Sequence, residues 1–588
     1  MPAYVPPIDD VRFLLTEVFD FDAVLGSLGA ADAVDSDLAV AALTEAGRFC
    51  ADVLQPLNGP GDREGCRIEN GQVITPTGFP AAYRAFAEAG WASLSGDPAF
   101  GGQGLPRVVQ ILLDEMVAAA NMAFGLFPGL TRGAVEALGR HADANLKAAY
   151  LPKMVSGEWT GAMALTEAHA GTDLGLLTTR AVPARDGAYS ITGSKIFISS
   201  GDQDFGGNII HLVLARLPDA PPGVKGISLF LVPKYLPDAA GELGARNGMS
   251  ASRLEHKMGI HAQPTCAMDY EGATGWLVGE PHRGLNAMFT MMNAERLFVG
   301  IQGLGLAAAA YQGAAAYAKE RQQGRAADGT TGPTPILAHP DVRKMLLTIR
   351  AFVEGGRALA VWTALQMDIA DRHPDPAVRQ EAEGFVALLT PVIKAALTDL
   401  GFESTVLGQQ VFGGHGYIRE WGMEQFVRDA RITQIYEGTN GIQALDLVGR
   451  KLGFENGQLP HRFFALVETE LNGCRAPAVE AVRGPALAAL ASLRRATDRV
   501  QTYGANTAEI GSAATDYLRL FALVALGWMW TRMADKALAP GNEASTARKA
   551  KVAMAEFFVL RLLPQVHALE ASLQAGAGPI MALSSDDF

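Results

Sequence analysis

The sequence predicts a mainly helical protein with one β domain inserted before its middle, in the order α, β, α, α. Three observations predict it. Apolar residues recur every three or four positions up to about residue 160, and short β-branched and aromatic runs replace them over 161–280. Long Ala- and Leu-rich helical patterns then fill the rest of the chain. At 588 residues, 49% of them apolar, the chain is too long for a single core, and each part can bury its own.

In the first domain, 1–160, segments 38–54, 79–90 and 107–121 carry the helical period. The Gly-rich stretch GDPAFGGQGLP at 96–106 must be a loop between them. In the second, 161–280, the runs YSITGSKIFISSG, NIIHLVLARL and GISLFLVP are separated by Gly, Asp and Pro clusters, as in an antiparallel sheet or small barrel. Helices return over 281–455, with breaks expected at 329–335, 373–376 and 413–417. The last domain, 456–588, reads as further helices, for example 485–503, 515–536 and 547–573, before an acidic SSDDF end.

A formal net charge of −13 argues against a nucleic-acid surface. Cys50, Cys66, Cys266 and Cys474 lie far apart with no CxxC pair, which gives neither a metal site nor a disulfide framework and points to a reducing compartment. The opening MPAYVPPIDDVRF has acidic residues where a signal peptide is basic and apolar. The best apolar run, 520–530, is shorter than the ~20 residues of a membrane helix. The expectation is a soluble, cytoplasmic protein with no membrane partner.

One dinucleotide-like pattern, Gly303-Leu304-Gly305-Leu306-Ala307-Ala308, follows a helical rather than a strand pattern, so it reads as small residues at a helix contact. The segment from Met163 to Gly175, MALTEAHAGTDLG, gathers hydroxyls, backbone donors and small residues around Gly171 where the β domain opens. Such a loop can lay N–H groups against a phosphate or a heteroaromatic ring.

At this point the chain resembles the acyl-CoA dehydrogenase family. ALTEAHAGTDLG is similar to that family's flavin-binding loop, and four further blocks follow in its order: ITGSKIFISSG (191–201), YAKERQQGR (317–325), QVFGGHGYIRE (410–420) and IYEGTNGIQ (435–443). Together they span about 160–450. The resemblance implies FAD as cofactor, with Met163, Leu165 and Thr166 on the flavin, and Gly171 and Thr172 near its pyrophosphate. It further implies Phe197 stacked near the isoalloxazine, Ser199 hydrogen-bonded at N5, and Thr439 on the cofactor. Arg321, Gln410 and Gly414 would reach the FAD of a neighbouring subunit, hence an oligomer. Where the family has Phe-Gly after the Arg block, this chain has Gln323-Gly324-Arg325.

Glu437, in IYEGT, matches the family's catalytic base. A carboxylate among apolar groups has its neutral form favoured, which suits a base working near neutral pH on a weakly acidic C–H. Glu295, in MNAERLFVGIQ, is the alternative, because some branches carry the base on that helix; those branches generally lack Glu in the IYEGT slot. Thr172, Tyr436 and Gly438 would contact substrate. Arg296 reads as a cation facing coenzyme A, with a structural ion pair as the other reading. His415 and His169 have no nucleophile to serve and read as loop residues.

The chain continues for about 140 residues past IYEGT, which resembles the C-terminally extended branch and implies a homodimer. Within that branch, MPAYVPPIDDVRFLL and MNAERLFVGIQGLG resemble the members acting on 3-methylmercaptopropionyl-CoA in dimethylsulfoniopropionate breakdown, with electron-transfer flavoprotein as acceptor. A thioether is close to a methylene in size and polarity, so straight short- to medium-chain acyl-CoA thioesters fit the same reading. An acyl-CoA oxidase and a non-catalytic binding protein on the same fold are the alternatives.

Overall fold

The computed structural model describes residues 2–29, 34–238, 240–326, 331–476, 479–539 and 545–588. The chain divides into two compact units, one of Arg48–Gln110 and Met116–Phe298, the other of Met1–Gly47, Ile111–Glu115 and Val299–Phe588.

In the first unit a hairpin, β1 (Arg67–Glu69) and β2 (Gln72–Ile74), interrupts what the sequence reading took as helical. Its turn is Asn70-Gly71, both at positive φ (51° and 75°). Asn-Gly is the pair that a two-residue hairpin turn of this handedness selects. The helix α1 (Arg107–His141) runs well past the expected end at 121, and the reason is local: Asn121 breaks the helical conformation (φ −161°, ψ 90°) and restarts it. The Asn121 side chain accepts from Phe124 N–H at 3.1 Å and donates to the Leu54 carbonyl at 3.2 Å, so the break leaves its polar groups satisfied.

The β domain is a closed barrel with flanking strands. Its strands are β3 (Thr160–Ala164), β4 (Arg180–Pro183), β5 (Tyr189–Ser199), β6 (Ile209–Arg216), β7 (Ile227–Pro233), β8 (Tyr235–Pro237), β9 (Leu243–Arg246), β10 (Met249–Leu254) and β11 (Thr265–Val278). Pairing runs β11–β5–β4–β6 and returns through β7 to β11, with β10 and β3 added outside and β8–β9 a separate hairpin. Closure removes exposed edges. β6 and β7 are buried along nearly their whole length, whereas β5 alternates. Continuous burial means both faces of β6 and β7 are covered, which is why their sequence is mostly apolar, with His211 and Ser228 as buried polar exceptions.

In the second unit long helices dominate: the later part of α2 (Gly284–Glu320), then α3 (Pro340–Arg372), α4 (Pro376–Val411), α5 (Met423–Arg431) and α6 (Asn440–Gly449). α3 ends and α4 begins across the expected break at 373–376. A 3₁₀ turn (Gly413–Tyr417) occupies the break at 413–417. The break at 329–335 lies partly outside the described residues. Gly303 sits within α2, as the helical context required. A Cβ there would lie 2.5 Å from the Leu397 carbonyl oxygen, and one at Gly401 would lie 2.5 Å from the Gly303 oxygen. The glycines let α2 and α4 approach backbone to backbone.

The C-terminal helices are α7 (Gln458–Gly473), α8 (Glu480–Gln501), α9 (Thr507–Ala537), α10 (Thr546–Arg561) and α11 (Gln565–Gln574). The single helix expected at 547–573 is therefore two, because Pro564 lacks the N–H that a continuing helix needs. The expectation that every apolar run is too short for a membrane is also corrected. Five helical stretches among the described residues have the length and composition to cross one, and in four of them 67–100% of the apolar window is buried in protein. Scattered polar residues hid their length in the sequence.

Candidate active site

In the first unit the MALTEAHAGTDLG segment leaves β3 at Met163 and turns back through a Glu167–Ala170 bridge. Its anchor is a residue the sequence reading passed over. Glu167 is 2% exposed and accepts hydrogen bonds from the N–H and hydroxyl of both Thr178 and Thr179 at 2.6–3.0 Å. Buried Lys195 on β5 donates to it at 3.0 Å and to the Leu165 carbonyl at 2.9 Å. Burial would push the Glu167 carboxyl up, but the Lys195 charge and the hydroxyl and amide donors outweigh it and hold it at about 2. Burial pulls Lys195 down to about 8 against the attraction of Glu167.

That pair ties the loop to β5 just where β5 is irregular. Ile196 N–H donates to the Thr166 carbonyl at 2.9 Å. The register with β11 then slips, since Lys195 faces Met268 and Ile198 faces Cys266. The extra residue makes a β-bulge. Phe197 stands in it at φ +59°, the residue 60% exposed. A non-glycine in this region costs about 1–2 kcal/mol, and an exposed ring recovers little of it from packing. Ser199 closes the strand opposite Thr265. Gly171 and Thr172 are exposed, and a Cβ added at Gly171 would meet nothing within 4 Å. The expected packing of small residues around Gly171 is therefore absent; the position faces open space. His169 is a loop residue, with Nε2 3.0 Å from the Leu176 carbonyl.

Also in the first unit, Glu295 and Arg296 lie on α2. Glu295 is 2% exposed and packs against α1, where a Cβ on Gly133 would lie 2.5 Å from its Oε1. Arg296 is buried, and its Nη1 donates to Asn293 Oδ1 at 3.4 Å.

In the second unit Glu437 is half-buried at the turn before α6. It has φ +58°, and Gly438 follows at φ +82°. The turn's main chain rests on polar side chains. Gln443 Nε2 donates to the Glu437 carbonyl at 3.1 Å and to the Gly438 carbonyl at 3.3 Å. Lys394 Nζ, from α4, donates to the Gly438 carbonyl at 2.9 Å and to Asn440 Oδ1 at 2.8 Å. Thr439 caps α6, its hydroxyl accepting from Ile442 N–H at 3.3 Å. The Tyr436 hydroxyl donates to Gln302 Oε1 on α2. Lys394, Gln443 and Gln302 were missed in the sequence. The available signal was a single lysine inside the apolar run LLTPVIKAAL.

Arg321 follows the end of α2, and Gln410 and Gly414 flank the end of α4; all three are exposed. Gly324 has φ +71°, Thr334 N–H donates to its carbonyl at 3.1 Å and Gln323 N–H donates to the Thr334 carbonyl at 2.9 Å, so Gln323-Gly324 pairs with Thr334 where the family pattern is lost. His415 stacks on Trp421 with centroids 4.4 Å apart, its Nδ1 2.9 Å from the Tyr317 hydroxyl.

An exposed aromatic ring on a strained bulge, an open glycine and nearby hydroxyls fit a flat heteroaromatic ligand with a diphosphate, as FAD is. Four family models match end to end: acyl-CoA dehydrogenase N-terminal domain (37–158), middle domain (162–273), C-terminal domain (282–452), and acetyl-CoA dehydrogenase C-terminal like (463–584). The chain belongs to the acyl-CoA dehydrogenase family, FAD-dependent oxidoreductases, and carries the extra C-terminal helical domain. Among its relatives it is 43% identical over 572 residues to 3-methylmercaptopropionyl-CoA dehydrogenase of Ruegeria pomeroyi, covering 96% of this chain and 97% of that one. It is 33% identical to a butyryl-CoA dehydrogenase of Syntrophomonas wolfei, covering 96% and 95%. Caenorhabditis elegans ACDH-11, solved with C11-CoA, shares the fold at 21% identity and TM-score 0.79, covering 96% and 95%.

Proposed function

We propose that the chain dehydrogenates a short acyl-CoA thioester between its α and β carbons, with 3-methylmercaptopropionyl-CoA as the preferred substrate and methylthioacryloyl-CoA as product. The identity of 43% over nearly the whole length to an enzyme named for that substrate carries the reading. The butyryl-CoA relative supports acceptance of straight short chains as well.

Glu437 is the base in this account. It is half-exposed on a held turn, while Glu295 is 2% exposed within helix packing, and that contrast supports the assignment. The Glu437 carboxylate takes the α-proton, and the C–H electron pair moves toward the thioester carbonyl. The Glu437 backbone N–H donates to that oxygen, where charge develops. The chemistry that FAD would supply at this site is acceptance of the β-hydrogen with its electron pair. Leu165, Thr166, Gly171, Thr172, Phe197 and Ser199 of the first unit would hold the cofactor. Electrons leave to an electron-transfer flavoprotein, from a cytoplasmic homodimer serving dimethylsulfoniopropionate breakdown.

The test is anaerobic mixing of the yellow protein with 3-methylmercaptopropionyl-CoA, butyryl-CoA and a long-chain acyl-CoA, following loss of oxidised-flavin absorbance. Fastest bleaching by the sulfur-containing thioester is expected. Fastest bleaching by another chain discards the substrate, and no bleaching by any discards the chemistry.

A further inference from the structure

Glu437 and Gly438 occupy the left-handed region in succession, with φ +58° and +82°. Glycine does so freely; glutamate does so at a cost of about 1–2 kcal/mol. Such strain persists only where the surroundings over-determine it, and here the surroundings are two buried polar side chains. Gln443, fully buried, spans the turn by donating to both the Glu437 and the Gly438 carbonyl. Its own Oε1 is buried with no hydrogen-bond partner among the described residues. Burying an unsatisfied acceptor costs about 1–3 kcal/mol, so the side chain is kept in spite of that penalty.

Lys394, fully buried in the middle of α4, meets the same turn from below through the Gly438 carbonyl and Asn440 Oδ1. Asn440 Nδ2 passes the connection on to Thr398 Oγ1 at 2.9 Å and Asp399 Oδ1 at 2.7 Å, and Gln434 Nε2 reaches the same Asp399 oxygen at 2.6 Å. The turn is thus bolted to α4 on one side and to α6 on the other. Neutral donors suffice to cap a turn. A buried ammonium is a far more expensive way to do it.

We infer that Lys394 and Gln443 are positioning residues for proton abstraction: they fix the 437–438 carbonyls and so set the direction in which the Glu437 carboxylate leaves the backbone. The inference rests on Glu437 being the base. A misplacement of about 1 Å in a reacting group costs about 100-fold in rate, and a turn released from either donor is free to relax out of its strained conformation.

The experiment uses holoenzyme of Lys394→Met and Gln443→Leu, with Glu437→Gln as control. FAD content, the dissociation constant of crotonyl-CoA (read from the flavin spectrum) and the flavin-reduction rate at saturating butyryl-CoA are measured. So is the isotope effect of α-deuterated butyryl-CoA. The expected result is FAD content and crotonyl-CoA affinity within about twofold of the parent, reduction slowed about 100-fold, and a larger α-deuterium isotope effect. A reduction rate unchanged in both variants overturns the inference, as does a fall in rate matched by equal losses of FAD and crotonyl-CoA binding. If Lys394→Met does not fold, Gln443→Leu decides alone. Retained reduction in Glu437→Gln overturns the base itself. Loss there, with the other two variants unaffected, overturns only the positioning role.

Discussion

Phe197 holds a conformation that its own packing does little to explain. Its φ of +59° is unfavourable and the residue is 60% exposed. Phe197→Gly should therefore stabilise the FAD-free protein by about 1 kcal/mol, once glycine's extra unfolded-state entropy is subtracted. The same change should weaken FAD binding about tenfold through lost stacking; thermal melts of apo-protein and fluorescence titration with FAD check both signs. Lys195→Met strands the buried Glu167 charge and should destabilise the protein by about 3 kcal/mol, read from denaturant unfolding. Glu167 titrates near 4.5 when unfolded and at about 2 when folded. Its contribution is therefore complete above about pH 4.5 and is lost as pH falls toward 2. Glu437, Phe197 and the ALTEAHAGTDLG loop were legible in the sequence because each lies inside a contiguous block. Lys394 was not, and neither was the pairing of Glu167, which sits in that loop, with Lys195: the partners lie up to 46 and 28 residues away and only the fold brings them together.

Element by element, the order α, β, α, α was legible from the change of hydrophobic period, and the helical reading of the Gly303 pattern proved right. Burial shows why. A Cβ at Gly303 meets backbone atoms of Leu397 and Thr398 at 2.5–2.9 Å, and backbone cannot swing away as a side chain can. Gly303→Ala should destabilise the protein by about 1–3 kcal/mol despite alanine's better helix propensity. Gly511→Ala, in α9 with nothing within 4 Å of the new methyl, should stabilise it by about 0.5–1 kcal/mol. Urea unfolding of the two variants checks the opposite signs. The elements that stayed hidden are those set by single residues: the Asn70-Gly71 hairpin inside a helical stretch, the helix restart at Asn121, and the Pro564 break between α10 and α11.

In the larger of the two units, the chain's two ends are held by buried charge. Arg357 Nε lies 2.8 Å from Glu115 Oε2 and its Nη1 pairs with Asp10, while Lys551 pairs with Asp10 and lies 2.8 Å from Glu354. Residues 10, 115, 354, 357 and 551 thus meet in one network, a long-range arrangement that no periodicity in the sequence announces. Burial would raise the Asp10 carboxyl, but Lys551 and Arg357 hold it at about 2. Its stabilisation is complete above about pH 4 and is lost as pH falls toward 2. Arg357→Met should cost about 3–5 kcal/mol by leaving the buried Glu115 carboxylate uncompensated, while Asp10 keeps Lys551. Asp10→Asn should flatten the acid limb of the stability profile between pH 4 and 2, measured by thermal melts across that range.

The central claim is that Glu437 removes the α-proton. It is tested most directly by anaerobic stopped-flow mixing of 3-methylmercaptopropionyl-CoA with the parent enzyme, Glu437→Gln and Glu295→Gln, each loaded with FAD. Glu437→Gln should keep its FAD but bleach about 10²–10⁴-fold more slowly, with Glu295→Gln close to the parent. Parent-like bleaching by Glu437→Gln, with loss confined to Glu295→Gln, would contradict it and move the base to the α2 helix.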